Sequence, residues 1–214
     1  MVKNIIFDFD GTLCDTSSVI VRSFQETLVR AGYPIPEVSA CLSVIGLSLY
    51  QCFTSLLGCS EAESHRLGDL YAREIFPKNV NAFPVHLFPS VMETLEIIKQ
   101  KNIPMSIATS REKESAWQLI NKTGAGEYME HIVTPQDVSN GKPYPDMVFH
   151  LLKATGLKAT ETLVVGDAPF DIEMGTRAGC MTCAVTYGNG KKEDLLKCHP
   201  THVIDNISDL LHLL

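Results

Sequence analysis

Two aspartates one residue apart, Asp8 and Asp10, close the apolar run NIIFDF and lead into Gly11 and Thr12. Strand alternation places both carboxylates on one side, at the carboxyl end where open parallel α/β sheets build their sites. Two acids at such range disfavour joint ionisation, and a hard divalent cation, magnesium foremost, removes that conflict. A solvated Asp-Gly turn is the plain alternative, but it leaves unexplained why the acids follow a buried strand. Two later apolar runs also end in polar groups. PMSIATS ends in Thr109 and Ser110, whose hydroxyl and N–H groups suit a phosphate ahead of a helix starting at Glu112. ETLVVGD ends in Asp167, with Asp171 one helical turn later. In GKPYPD, Lys142 sits between a glycine and a proline. Alone, such a lysine reads as a solvated side chain.

These groups need a scaffold. Apolar strand-like runs at NIIFDF, 104–109 and 161–167, at 180–187 and, more briefly, near 131 alternate with helix-period segments. The helical segments start at Ser90, Glu112, Pro145 and Phe170. The alternation predicts an α/β protein with a doubly wound, Rossmann-like parallel sheet core. Residues 16–81 break the rhythm and read as helix only, near 17–31, 37–44, 48–57 and 60–76. The expected organisation is therefore a core of residues 1–15 and 82–214 with a small inserted all-α cap at 16–81. The Pro-containing stretch NAFPVHLFPS marks the chain's return to the core.

DFDGTLCDT resembles the first motif of the haloacid dehalogenase superfamily, and three further motifs match in order. PMSIATS is similar to the second, GKPYPD to the third, and VVGDAPFDIEMGTRAG to the fourth. The tail TYGNGKKEDLLKCHPTHVIDNISDLL looks like the ending of phosphoglycolate phosphatase-type members. The resemblance implies that Asp8 attacks phosphorus to give an aspartyl-phosphate, and that Asp10 protonates the leaving oxygen and later deprotonates water. It implies that Lys142 offsets charge beside the nucleophile, and that Gly11, Thr109 and Ser110 surround the phosphate. Mg2+ would be held by Asp8, Asp167 and the backbone carbonyl of Asp10, with Asp171 binding it through water or orienting Lys142. Asp10 favours phosphoryl chemistry, because the dehalogenases lack the second aspartate. The inserted helices would form a cap that selects a small phosphorylated metabolite, with Gly46 in SVIGLSL resembling its substrate-facing loop. Arg22, Gln51, His65, Arg66 and Lys78 read as ordinary surface. Two other readings stand beside the hydrolase. A β-phosphoglucomutase-like enzyme shares the core and cap, but the loop CLSVIGLSLYQ lacks the charge a mutase needs. A catalytically idle binding domain predicts loss of Asp8, Asp10, Lys142 or Asp167, and all four are present.

Composition sets the outer bounds. At 214 residues, with 45% hydrophobic and 20% charged residues, the chain is an ordinary globular one. A net charge of −7, with 18 scattered Lys and Arg, argues against nucleic acid. The first apolar run is too short for a signal peptide or membrane span, and the seven cysteines form an odd set. Both features suit the cytoplasm. Cys180 and Cys183 form a C-x-x-C inside a strand-like run and read as structural thiols. Monomer and homodimer both remain open.

Overall fold

The computed structural model describes residues 1–214. Strands β1 (Asn4–Phe7) and β2 (Cys14–Asp15) precede helices α1 (Ser17–Arg30), α2 (Val38–Ser43), α3 (Leu49–Leu57), α4 (Glu61–Leu70) and α5 (Phe76–Ala82). Then come β3 (His86–Leu87), α6 (Val91–Gln100), β4 (Met105–Ala108), α7 (Lys113–Thr123) and β5 (His131–Val133). The chain ends with α8 (Asp146–Thr155), β6 (Thr162–Gly166), α9 (Pro169–Arg177), β7 (Met181–Val185), α10 (Lys192–Lys197) and β8 (His202–Ile204).

Six strands form one sheet in the order β5-β4-β1-β6-β7-β8, with every pairing parallel. The strands that read as wholly apolar are those buried on both faces. Ile5, Phe7, Ile107 and Leu163 point to one side, into a core shared with α6 and α7. Ile6, Ala108 and Val164 point to the other, under Met147 and Leu151 of α8 and Met174 of α9. The period of two thus supplies two cores from the same strands. The C-x-x-C divides the same way. Cys183 lies in the first core and Cys180 packs at the second, so the sheet stands between the two thiols. Burial pushes Cys183 up to about 12 and Cys180 up to about 11.

The helices α1 to α5 are bracketed by β2 and β3, which pair antiparallel through Cys14–Leu87 and Asp15–His86. Aromatic rings fill the middle of this block. Phe24 packs edge-on against Phe53 at 5.3 Å, and Tyr71 stacks on Phe76 at 5.4 Å. The helix expected over 60–76 runs further than its pattern suggests, from α4 through a wide π turn at Tyr71–Ile75 into α5. Pro77 lies just past that turn. Proline has no N–H for the carbonyl four residues back, and the widened turn absorbs the missing bond where a regular helix would kink. No helix is long and apolar enough to cross a membrane.

Candidate active site

Neighbouring strands β1 and β6 end side by side, with Phe7 opposite Val165, and so deliver Asp8 and Asp167 to the same edge. The Asp8 N–H still donates to the Val165 carbonyl at 2.8 Å, which fixes its position at the strand end. Asp171 enters from the first turn of α9, where its Oδ2 accepts from the Ala168 N–H at 3.0 Å. A side chain on Gly166 would overlap Asp171, so glycine is required there for α9 to approach the strand. Lys142 arrives from the loop before α8. Its buried Nζ donates to Asp8 Oδ1 at 2.5 Å and to Asp171 Oδ1 at 2.6 Å.

The carboxylates of Asp8, Asp167 and Asp171 each place an oxygen within 4.8 Å of the others. Burial raises Asp8 well above the usual carboxylate range; Lys142 opposes this, while Asp171 and Asp167 add to it. Burial, followed by the Asp171 charge, pushes Asp167 up to about 7. Burial works to lower Lys142, yet Asp171 and Asp8 outweigh it and hold the ammonium above its ordinary value. Three buried acids against one ammonium leave two negative charges uncompensated. That deficit, on hard oxygen donors, fits a divalent cation. Two further groups hold Asp167: Thr12 Oγ1 donates to Oδ1 at 3.2 Å, and the Asn189 N–H donates to Oδ2 at 2.7 Å.

The structure does not bring the Asp10 carboxylate to this cluster. Strand β1 ends at Phe7 and the chain turns at Gly11, with φ +91°, so strict alternation stops before Asp10. Any part for Asp10 in a metal site falls to its backbone carbonyl. Its side chain accepts instead from Arg111, Nε to Oδ2 at 2.9 Å and Nη2 to Oδ1 at 2.6 Å, and from Thr16 Oγ1 at 2.5 Å. Asp8 and Asp10 nevertheless line one small cavity of about 80 Å³, together with Thr109 and Ser110. The opposite wall belongs to the helical block and includes Gly46, whose φ of +102° is one that glycine adopts readily, and which faces Ala168 and Phe170. Helix α7 begins at Lys113, with Glu112 at its N-cap position and Ser110 two residues before that.

Comparison with known proteins gives the family. Residues 5–185 fit the family model described as haloacid dehalogenase-like hydrolase. The chain belongs to that family. A pyrophosphatase PpaX of Oceanobacillus iheyensis is 29% identical over 98% of this chain and 95% of its own length. A phosphoglycolate phosphatase of Pectobacterium atrosepticum is also 29% identical, over 100% of this chain and 92% of its own. A hydrolase from Pseudomonas syringae superposes with a TM-score of 0.83 at 28% identity, covering 99% of this chain and 97% of that one. Within this haloacid dehalogenase-like frame, sequence reasoning missed Arg111, Thr12, Thr16 and Asn189. Arg111 carried a usable signal, being a cation two residues past the hydroxyl that ends β4. The surface residues Arg22, Gln51, His65, Arg66 and Lys78 all lie outside the cavity. Arg66 pairs with Glu63 and Lys78 with Glu26.

Proposed function

We propose that this hydrolase is a magnesium-dependent phosphatase that removes the phosphate of a small organic monoester through an aspartyl-phosphate on Asp8. The observation that carries the reading is the buried bridge of Lys142 between Asp8 and Asp171, with Asp167 completing the acidic cluster. Asp8 is fixed at a strand end and paired to a cation, so its free oxygen can meet phosphorus without a search for orientation. Lys142 offsets charge as the carboxylate and phosphate oxygens converge. Thr109 and Ser110 supply a hydroxyl and N–H groups to the phosphate at the start of α7, and Gly11 lets the backbone approach it. A divalent cation held by Asp8, Asp167, Asp171 and the Asp10 carbonyl would neutralise the clash between acid and phosphate dianion. Asp10 serves as acid toward the leaving oxygen and then as base toward water.

The helical block of residues 16–81 acts in this reading as a cap that excludes water during transfer. Its wall of the cavity, including Ile45, Leu47, Leu49 and Phe76, offers no charge to a second phosphate. This favours water over a sugar phosphate as the final acceptor, hence a hydrolase over a mutase. The relatives' names point to two different substrates, pyrophosphate and phosphoglycolate, and so support the phosphatase class without choosing between them.

The test is phosphate release from a panel of phosphate esters with magnesium, comparing wild type with Asp8→Asn. The substitution is expected to lower turnover at least about 10³-fold. Equal rates for the two proteins would sink the mechanism.

A further inference from the structure

The phosphatase reading leaves one buried cation in the cavity without a task. Lys142 is engaged by Asp8 and Asp171, and among the residues lining the cavity Arg111 is the only Lys or Arg. Its side chain is 8% exposed. Nε and Nη2 grip the two oxygens of Asp10, Nη1 donates to Ser115 Oγ at 2.8 Å, and the guanidinium lies 4.6 Å over the ring of Phe76. The residue is thus clamped from the core by α7 and from the opposite side by α5, with its fork on Asp10, and both residues line the cavity.

A buried ion pair repays little beyond its own desolvation, so exchanging one anion for another across Arg111 is nearly balanced. A guanidinium fork accepts a second carboxylate in the same two-bond geometry it gives Asp10. Asp10 has both oxygens occupied, by Arg111 and by Thr16, and must leave Arg111 before it can reach a leaving oxygen. The facing wall is apolar apart from the Tyr71 hydroxyl and the Cys52 thiol, and Glu112 stands partly exposed, so no other group attracts an anion there.

We propose that Arg111 is the specificity-determining residue: it takes a carboxylate carried by the leaving group of the phosphate monoester, and the exchange releases Asp10 toward the ester oxygen. The inference rests on the phosphatase reading and adds the substrate class, a short phosphate monoester with a second anionic group. It also places selection on the core side of the cavity, at the start of α7, instead of in the helical block.

The test compares two esters of equal skeleton, 2-phosphoglycolate and ethyl phosphate, which differ by the carboxylate. Wild type with magnesium is expected to favour the carboxylate ester by about 10- to 100-fold in kcat/KM, the scale of a charge-assisted pair. Arg111→Gln should bring that ratio to within about 3-fold of unity. Arg111→Lys, which keeps the charge but loses the fork, should hold an intermediate ratio and guards against a folding defect in the first variant. A wild-type ratio near unity, or an Arg111→Gln protein that slows both esters alike, overturns the proposal and leaves the phosphatase reading standing. Failure of wild type to hydrolyse either ester overturns the phosphatase reading itself, and this inference with it.

Discussion

Burial holds Asp167 and Asp8 above the ordinary carboxylate range, so a metal that needs them ionised binds in competition with protons. Burial moves Asp167 from its ordinary 3.8 to about 7 and raises Asp8 as well. The folded chain therefore binds more protons than the unfolded one across that window. By linkage, the stability these acids contribute is present below the unfolded value and falls as pH rises toward the folded value. A cation bound to the same oxygens acts in the opposite sense, since it needs them ionised and removes their mutual repulsion. Magnesium in excess is accordingly expected to raise the Tm more at about pH 8 than at about pH 6, measured by scanning calorimetry. Asp167→Asn should narrow the difference. A shift of equal size at both pH values would show that the ion binds elsewhere.

The elements that hold these residues were unevenly visible in the sequence. Strands β1, β4, β6 and β7 announce themselves because a strand buried on both faces is built almost wholly of apolar residues, whereas β5, a half-buried edge strand, shows only as the brief run HIV. Edge strand β8, at His202–Ile204, carries a histidine and an exposed valine and gives no such run. The β2–β3 pair is two residues long on each side, below what periodicity can register. Asp8, Lys142, Asp167 and Asp171 were legible because each lies in a motif at the end of a buried strand or in a loop that returns to one. Asn189 was not, because its contribution is a backbone N–H, which any residue has. The loop at Gly188–Gly190 shows what that costs to disturb. A side chain on Gly190 would overlap the Asp167 carbonyl, and one on Gly188 the Gly11 carbonyl. Gly190→Ala should lift the loop off the site and withdraw the Asn189 N–H from Asp167. We expect kcat/KM to fall by about 10²-fold, the scale of an ångström-sized misplacement. Activity within a few-fold of wild type would mean that the loop does not set the position of Asp167.

At the scale of the whole molecule, one apolar cluster runs from the sheet through α6 and α7 into the helical block, joining Ile107 and Leu163 to Phe24, Phe53 and Tyr71. Two polypeptide crossings, paired at β2 and β3, are the only covalent links between the block and the rest. Shared burial over that junction predicts cooperative unfolding, because neither part can open without exposing the other's apolar face. Phe53 is fully buried in the block, and the single tryptophan, Trp117, lies exposed on α7, outside the block. Phe53→Ala should remove about 3–5 kcal/mol of stability. In urea, far-UV dichroism reports all helices while Trp117 fluorescence reports the sheet side alone. If the molecule unfolds as one unit, the substitution moves both midpoints down together and the two curves stay superimposed. If the block can melt by itself, the dichroism curve splits and the Trp117 midpoint stays at its wild-type value, and the hydrophobic continuity across the β2–β3 junction would then count for little in solution.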